Sequence, residues 1–237
     1  GAGSAVIGFF WKFATLVVYA GAFVLSPFEL GPGSVWVWVA LFFADDLAYY
    51  WFHRCHHRIR LLWASHVVHH SSQYFNLTTA LRQSWTPMGG LPFWLPLALL
   101  GFPPWMILLQ QSISLTYQFF IHTERVGVLP KPIELIFNTP SHHRVHHGSD
   151  DIYLDKNYAG ILIVWDRLWG TFEAESKRVT YGLTENIRTF NPLRVAFHEY
   201  AAVWRDVTTA RSWRERAGFV FGPPGWGKQK QEEAAVR

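Results

Sequence analysis

Nine of the 12 histidines in this chain fall into three copies of one pattern, HxxHH: His53, His56 and His57; His66, His69 and His70; His143, His146 and His147. On a helix, residues three and four apart project from one face, so each block aims two or three imidazoles in a common direction. Neutral imidazole is the commonest protein ligand for transition metals. Three such blocks, with His122 as a further candidate, in a chain holding only 17 acidic residues, predict a polyhistidine metal centre. Whatever the fold, it has to bring the segments around residues 53, 66 and 143 to one place.

The amount of nitrogen sets the nuclearity. A structural zinc site needs about four ligands, usually including cysteine, and one helix face offers at most two or three. Three blocks plus His122 supply more than one ion can use, so a dinuclear site is expected. All-nitrogen donors suit Zn, Fe, Cu or Ni without choosing among them, and because such a cage favours Zn over Fe(II) on raw affinity, purified samples can carry zinc. The one cysteine, Cys55, excludes an intramolecular disulfide and reads as a small buried residue rather than a ligand.

Composition then places the site at a membrane. Charged residues are 16% of the chain and aromatics 17%, with 13 tryptophans, against a usual charged share of about a quarter. Residues 5–25 form an apolar run broken only by Lys12, and residues 35–52 form a second whose only charges are Asp45 and Asp46. No charge occurs between Arg82 and His122. Pro103 and Pro104 divide that stretch, which predicts a helical hairpin with arms Trp85–Phe102 and Trp105–Ile121. A spanning helix needs ~20 apolar residues, so the chain reads as an all-α integral membrane bundle of about four spans.

This count of crossings leaves every histidine on one side of the bilayer, as a shared metal site requires. All the Lys and Arg residues except Lys12 fall on that side too, and the positive-inside rule makes it the cytoplasm. The expected protein is multi-pass, in a bacterial inner membrane or the endoplasmic reticulum, with a cytoplasmic histidine-rich helical cap. No cleavable signal peptide is legible. The basic residues form no stripe with interleaved stacking aromatics, which argues against nucleic acid as a partner. Residues 1–227 read as one membrane-embedded domain, and residues 228–237, containing Lys-Gln-Lys-Gln-Glu-Glu, as a disordered polar tail.

Other polar residues are candidates for the second layer around the metals. Asp46 lies two helical turns before His53 inside an apolar run, so it is expected to face the bundle interior and accept a hydrogen bond from a ligand imidazole, with a charge that snorkels to water at the span end as the rival reading. Asp45, on the adjacent face, has the weaker claim. Asp150, Asp151, Asp155 and Asn157 follow the third block closely and are candidates for its support, with a solvated turn as the rival reading. His56 and His142 stand beside ligand candidates without a clear role, and His198, alone among ordinary helical positions, reads as structural or exposed.

The ordered set His53-Arg54-Cys55-His56-His57, His66-Val67-Val68-His69-His70 and His143-Arg144-Val145-His146-His147 resembles the fatty acid hydroxylase and sterol desaturase superfamily of integral-membrane, non-haem di-iron oxidoreductases. Its motif runs HxxxH, HxxHH, HxxHH. Carried onto this chain, the resemblance implies His53 and His57, then His66, His69 and His70, then His143, His146 and His147 as metal ligands, with His122 as the additional ligand between the second and third boxes. It leaves His56 outside the first box, and it assigns no catalytic residue beyond the metal shell. The stretch Asn138 to Gly148, continued by Asp155-Lys156-Asn157-Tyr158 and by Trp165 to Phe172, is similar to the alkylglycerol monooxygenase branch and its bacterial relatives.

The resemblance implies two Fe ions, O2 and an electron donor, with tetrahydrobiopterin or a redox partner protein as candidates, and a lipid substrate drawn from the bilayer. The implied reaction is hydroxylation of an unactivated C–H bond. In the ether-lipid version, oxidation next to the ether oxygen cleaves an alkylglycerol to an aldehyde and a glycerol lipid. Sibling activities, sterol or acyl-lipid hydroxylation or desaturation and amino-lipid hydroxylation, share the metal boxes. A membrane metal transporter is the reading from another class, disfavoured because the ligands follow the span ends instead of lying within spans.

Overall fold

The structure is a computed structural model and describes residues 2–227, so the tail expected over 228–237 lies outside the described residues. Among the described residues the regular structure is helical: the only extended pairings are isolated bridges, Phe137 with Leu162 and Gly148 with Tyr181.

Two helices, α1 (Ala2–Val24) and α2 (Val35–Arg58), are long and apolar enough to cross a membrane. Only 17% of the apolar window of α1 is buried, which is not how a core helix of a water-soluble protein behaves. Phe9, Phe10, Phe13 and Val17 point outward, while Thr15, Tyr19 and Ala22 pack inward. The expected hairpin forms, but its first arm is short. A one-turn 3-10 helix at Pro87–Gly90 leads into α5 (Leu91–Leu99), whose nine residues rise ~14 Å, about half of a ~30 Å hydrocarbon core. Prolines explain the difference from the sequence-based range: Pro87, Pro92 and Pro96 each remove an amide donor, and a helix begun near Trp85 could not carry them through its interior. The second arm, α6 (Pro104–Ile121), starts on its proline as expected and turns Gln110, Ser114 and Gln118 into the protein interior. Tyr19, Leu41, Trp94, Leu97, Met106 and Ile107 form the core shared by these four helices.

A single extended residue, Ile59 (φ −117°, ψ 115°), breaks the chain between α2 and α3 (Arg60–His70). This break folds the second histidine block back over the first. Further short helices follow: α4 (Leu77–Ala80), α7 (Lys131–Ile136), α8 (Pro140–His146) and α9 (Val164–Leu168). Two more, α10 (Pro192–Thr209) and α11 (Trp213–Phe221), pack on α3. There Arg60 is held by Glu199 at 2.8 Å and Asp206 at 2.7 Å.

Asp46 joins the membrane helices to the cap. It is fully buried, and its carboxylate accepts from the Ile161 amide at 2.7 Å, the Leu162 amide at 2.9 Å and Trp165 Nε1 at 2.9 Å. The expectation of an interior position holds, but the partner differs: Asp46 fixes the loop after the third histidine block instead of receiving a ligand imidazole. Gly160 makes this approach feasible, since a Cβ there would come within 2.9 Å of both Asp46 Oδ1 and the Tyr49 ring. Asp45, also buried, accepts from Trp94 Nε1 at 2.7 Å and ties α2 to α5.

Candidate metal centre

Nine histidines converge where α2, α3 and α8 meet the end of α6, and they divide into two groups. His53, His57, His66, His70 and His146 form one; His69, His122, His143 and His147 form the other. Within each group one nitrogen from every ring lies within 4.8 Å of the others. The blocks are therefore not allotted one per ion. The second and third blocks each split between the two groups, because residues four apart share a helix face while the third histidine of the block is rotated away from it.

The nitrogens face one another in a way that hydrogen bonding alone does not explain. His53 Nδ1 lies 2.8 Å from the Tyr158 carbonyl, His122 Nδ1 2.6 Å from the Gln118 carbonyl and His146 Nδ1 2.9 Å from the Lys156 carbonyl. Each contact assigns the ring proton to Nδ1 and leaves a lone pair on Nε2. Yet His53 Nε2 is 2.9 Å from His66 Nε2, which is 3.1 Å from His70 Nε2; in the second group His122 Nε2 is 3.2 Å from His69 Nε2 and 2.9 Å from His143 Nε2. Metal–nitrogen bonds of ~2.1 Å at right angles would put neighbouring donors about 3.0 Å apart. His57 Nε2, His146 Nε2 and His147 Nε2 are buried with no hydrogen-bond partner, the condition of a ligand atom awaiting a cation. The donor set fits two transition-metal ions.

Supporting contacts come mainly from main-chain carbonyls, which sequence motifs do not reveal. The loop that carries Tyr158 is itself clamped by Asp166, whose two oxygens accept from the Tyr158 and Ala159 amides at 2.8 Å each. Burial raises Asp166 to about 6, against the bonds it accepts from Thr171 and these amides. The carboxylate nearest a candidate ligand is Asp155, 3.7 Å from His57 Nδ1 and 2.8 Å from Arg58. Burial opposes its charge, but His57 and Arg58 hold it below the usual carboxylate range. Asp155 adopts a left-handed backbone, as does Asn157 (φ 58° and 55°), a conformation for which Asp and Asn are the best suited residues after glycine.

The other sequence candidates sit elsewhere. Asp150 accepts from the Thr180 amide at 2.8 Å and pairs with Lys177 at 3.3 Å, so it closes a surface turn. Asn157 donates to the His142 and Glu173 carbonyls at 3.1 and 2.7 Å and supports backbone, not an imidazole. His142 is turned away from the metal groups onto Glu134 at 2.8 Å. His56 bonds the Phe52 carbonyl at 2.8 Å and packs on the Phe52 ring. His198 bonds the Val195 carbonyl within α10 at 3.0 Å, and Cys55 is only half-buried. Glu134 had no sequence signal: its role depends on α7 folding beside α8, where it accepts from Thr139, Ser141 and the Leu129 amide.

Burial keeps these rings neutral. His66, His70, His143, His146 and His147 are held well below the ordinary 6.5, first by burial and then by neighbouring imidazoles. His69 falls to about 3 from burial and the nearby His122, and His122 to about 4 from burial. An unfolded chain protonates its imidazoles near ~6.5, so below that pH it binds more protons than the folded, metal-free protein and stability falls with pH. The thermal midpoint of the metal-stripped protein in detergent should be level above pH ~7 and drop steadily below ~6.5. A midpoint that rises on acidification would contradict this.

A cavity of about 490 Å³ opens onto both groups, lined by His66, His69, His122 and His143 and reaching Thr15 and Tyr19 of α1 and Trp94 of α5. Its wall includes Trp11, Phe52, Leu91, Leu108, Leu115 and Phe119, so the metal groups face an apolar space between the long helices.

A helical protein with this histidine constellation defines a class, and comparison with known families agrees. Residues 38–171 match the fatty acid hydroxylase family model, and the chain belongs to that family. Among individual proteins, it is 47% identical to alkylglycerol monooxygenase of Homo sapiens over 204 residues, 86% of this chain and 45% of that one. It is 49% identical to the Danio rerio alkylglycerol monooxygenase over 199 residues, 84% of this chain and 44% of that one. The ornithine lipid hydroxylase OlsE of Rhizobium tropici is 30% identical over 136 residues, 54% of this chain and 39% of that protein. The chain thus spans less than half the length of these relatives. No solved structure matches it.

Proposed function

We propose that this chain is an O2-dependent di-iron monooxygenase that hydroxylates a lipid, with alkylglycerols as the substrate class. The observation that carries the reading is the convergence of nine imidazoles, in groups of five and four, on the end of an apolar cavity between membrane-length helices. Two iron ions bound there would supply activation of O2 for insertion into an unactivated C–H bond, with two electrons from a donor for which tetrahydrobiopterin or a redox partner are candidates. The protein's own part is carried by main-chain carbonyls as well as side chains. The carbonyls of Gln118, Lys156 and Tyr158 fix which imidazole nitrogen is free, Asp155 orients His57, and the cavity wall excludes water and aligns a chain.

In the membrane, α1 and α2 cross, and the α5–α6 pair enters from the histidine side and returns, giving a multi-pass protein of about four passages if α5 is continued by its flanking segments. The excess of basic residues near the helix ends supports a cytoplasmic cap. Residues 1–227 form one functional domain in this reading.

The relatives named alkylglycerol monooxygenase support an ether-lipid substrate. Hydroxylation of the carbon beside the ether oxygen gives a hemiacetal, which separates into a fatty aldehyde and the glycerol lipid. A long chain in the apolar cavity gains ~0.8 kcal/mol per buried CH2, so short water-soluble ethers are expected to be poor substrates. Incubating the iron-loaded protein with a hexadecyl glycerol ether, O2 and a reductant should release hexadecanal, with none from a His146→Ala control. The similarity to an ornithine lipid hydroxylase supports the second reading, an amino-lipid or acyl-chain hydroxylase. Hydroxylated acyl or sterol product without aldehyde would favour that reading and remove the ether-lipid one.

A further inference from the structure

We infer that α10 is a membrane-surface helix: its outward face lies in the headgroup layer of an anionic bilayer, beside the mouth of the cavity. The helix has two apolar faces. Val195, Ala196 and Val203 are buried, Val195 packing against Val67 and Val68 of α3. On the other side Leu193, Phe197, Tyr200 and Trp204 recur at helical spacing, and Leu193, Phe197 and Trp204 are 58%, 41% and 72% exposed. Trp213 on the adjoining α11 is 81% exposed. One stray apolar residue at a surface is ordinary, but a helical stripe of large ones has to be covered by something.

Position identifies lipid as the cover. Phe197 contacts the Trp85 ring at 6.3 Å, and Tyr200 bonds Thr86 at 2.7 Å. Trp85 in turn packs against the first turn of α1, where a Cβ on Gly3 would come within 2.6 Å of its ring. Trp85 thus links the stripe on α10 to the N-terminal end of α1, whose outward side carries Phe9, Phe10 and Phe13. An apolar surface continuous with a membrane-length helix, at the level of that helix's end, meets the bilayer interface. Exposed Arg194, Arg211 and Arg214 flank the stripe, and basic residues beside Trp, Phe and Leu are the composition that binds anionic lipid headgroups in plane. Ser84 and Thr86, next to the Trp85 contact, line the cavity, so the docked helix would hold the entrance at the depth from which a lipid can enter without crossing water.

The test uses the full chain in nanodiscs containing phosphatidylcholine and phosphatidylglycerol, in a Cys55→Ser background. Nitroxide labels at Leu193→Cys, Phe197→Cys and Trp204→Cys are compared with Val17→Cys, on the outward face of α1, and Asp151→Cys, in an exposed turn. Collision with O2 should exceed collision with a water-soluble nickel chelate several-fold at the α10 positions, as at Val17→Cys, and reverse at Asp151→Cys. Chelate collision at all three α10 sites equal to that at Asp151→Cys would overturn the proposal. Protection from both reagents, with cross-links between two copies, would assign the face to a second chain and overturn it as well. None of these readouts needs turnover, so failure of the enzymatic reading leaves the result intact.

Discussion

Replacing His122 by alanine should remove one metal per chain and abolish activity. His122 belongs to the four-membered group, where its Nε2 meets both His69 and His143. Three imidazoles would remain, and the loss should exceed the ~10- to 100-fold in affinity that removing even a supporting partner costs a metal site. His146→Ala acts on the five-membered group and leaves four donors, so it should retain more metal than His122→Ala while still losing activity. His56→Ala and His198→Ala, whose rings bond carbonyls of their own helices, should keep the full metal content. Metal content per chain, measured on each purified variant, separates these outcomes. Equal loss from His56→Ala and His122→Ala would show that the two groups are wrongly drawn.

Asp46→Leu should produce the largest loss of stability of any substitution outside the histidines. It strands two buried donors, the amides of Ile161 and Leu162, each costing about 1–3 kcal/mol when left unsatisfied, and the part-buried Trp165 indole as well. The sum is comparable with the whole margin of ~5–15 kcal/mol by which native proteins are stable. The damage should reach the metals, because the released loop also carries the Tyr158 carbonyl that bonds His53. Asp46→Asn, which keeps one carbonyl-type acceptor, should be intermediate. Thermal unfolding in detergent, followed with and without added metal, checks the order; an Asp46→Leu protein as stable as the parent would mean that this junction does not hold the cap.

What the sequence made legible here was periodic or chemically rare. Three histidine blocks at helical spacing announce a metal centre before any contact is known, and apolar runs announce α1 and α2. Neither the division into five and four nor its crossing of the blocks could be read that way, because it depends on the one-residue break at Ile59 and on how α8 faces α3. The supporting groups were hidden for a different reason. Gln118, Lys156 and Tyr158 act through main-chain carbonyls, which every residue possesses, so nothing in their side chains marks them. Asp46 was recognisable as an interior carboxylate, since a charge in an apolar run must find partners, but those partners lie 115 residues or more along the chain. The shortened α5 shows that absence of charge is a weaker guide to span length than the proline positions within the run.

The central claim is that one chain holds two metals, and elemental analysis of the iron-loaded protein, with metal counted per mole of chain alongside turnover, tests it most directly. Two metals per chain in the active protein, falling towards one in His122→Ala, is the predicted result. Full activity with a single metal per chain, or with none, would contradict it.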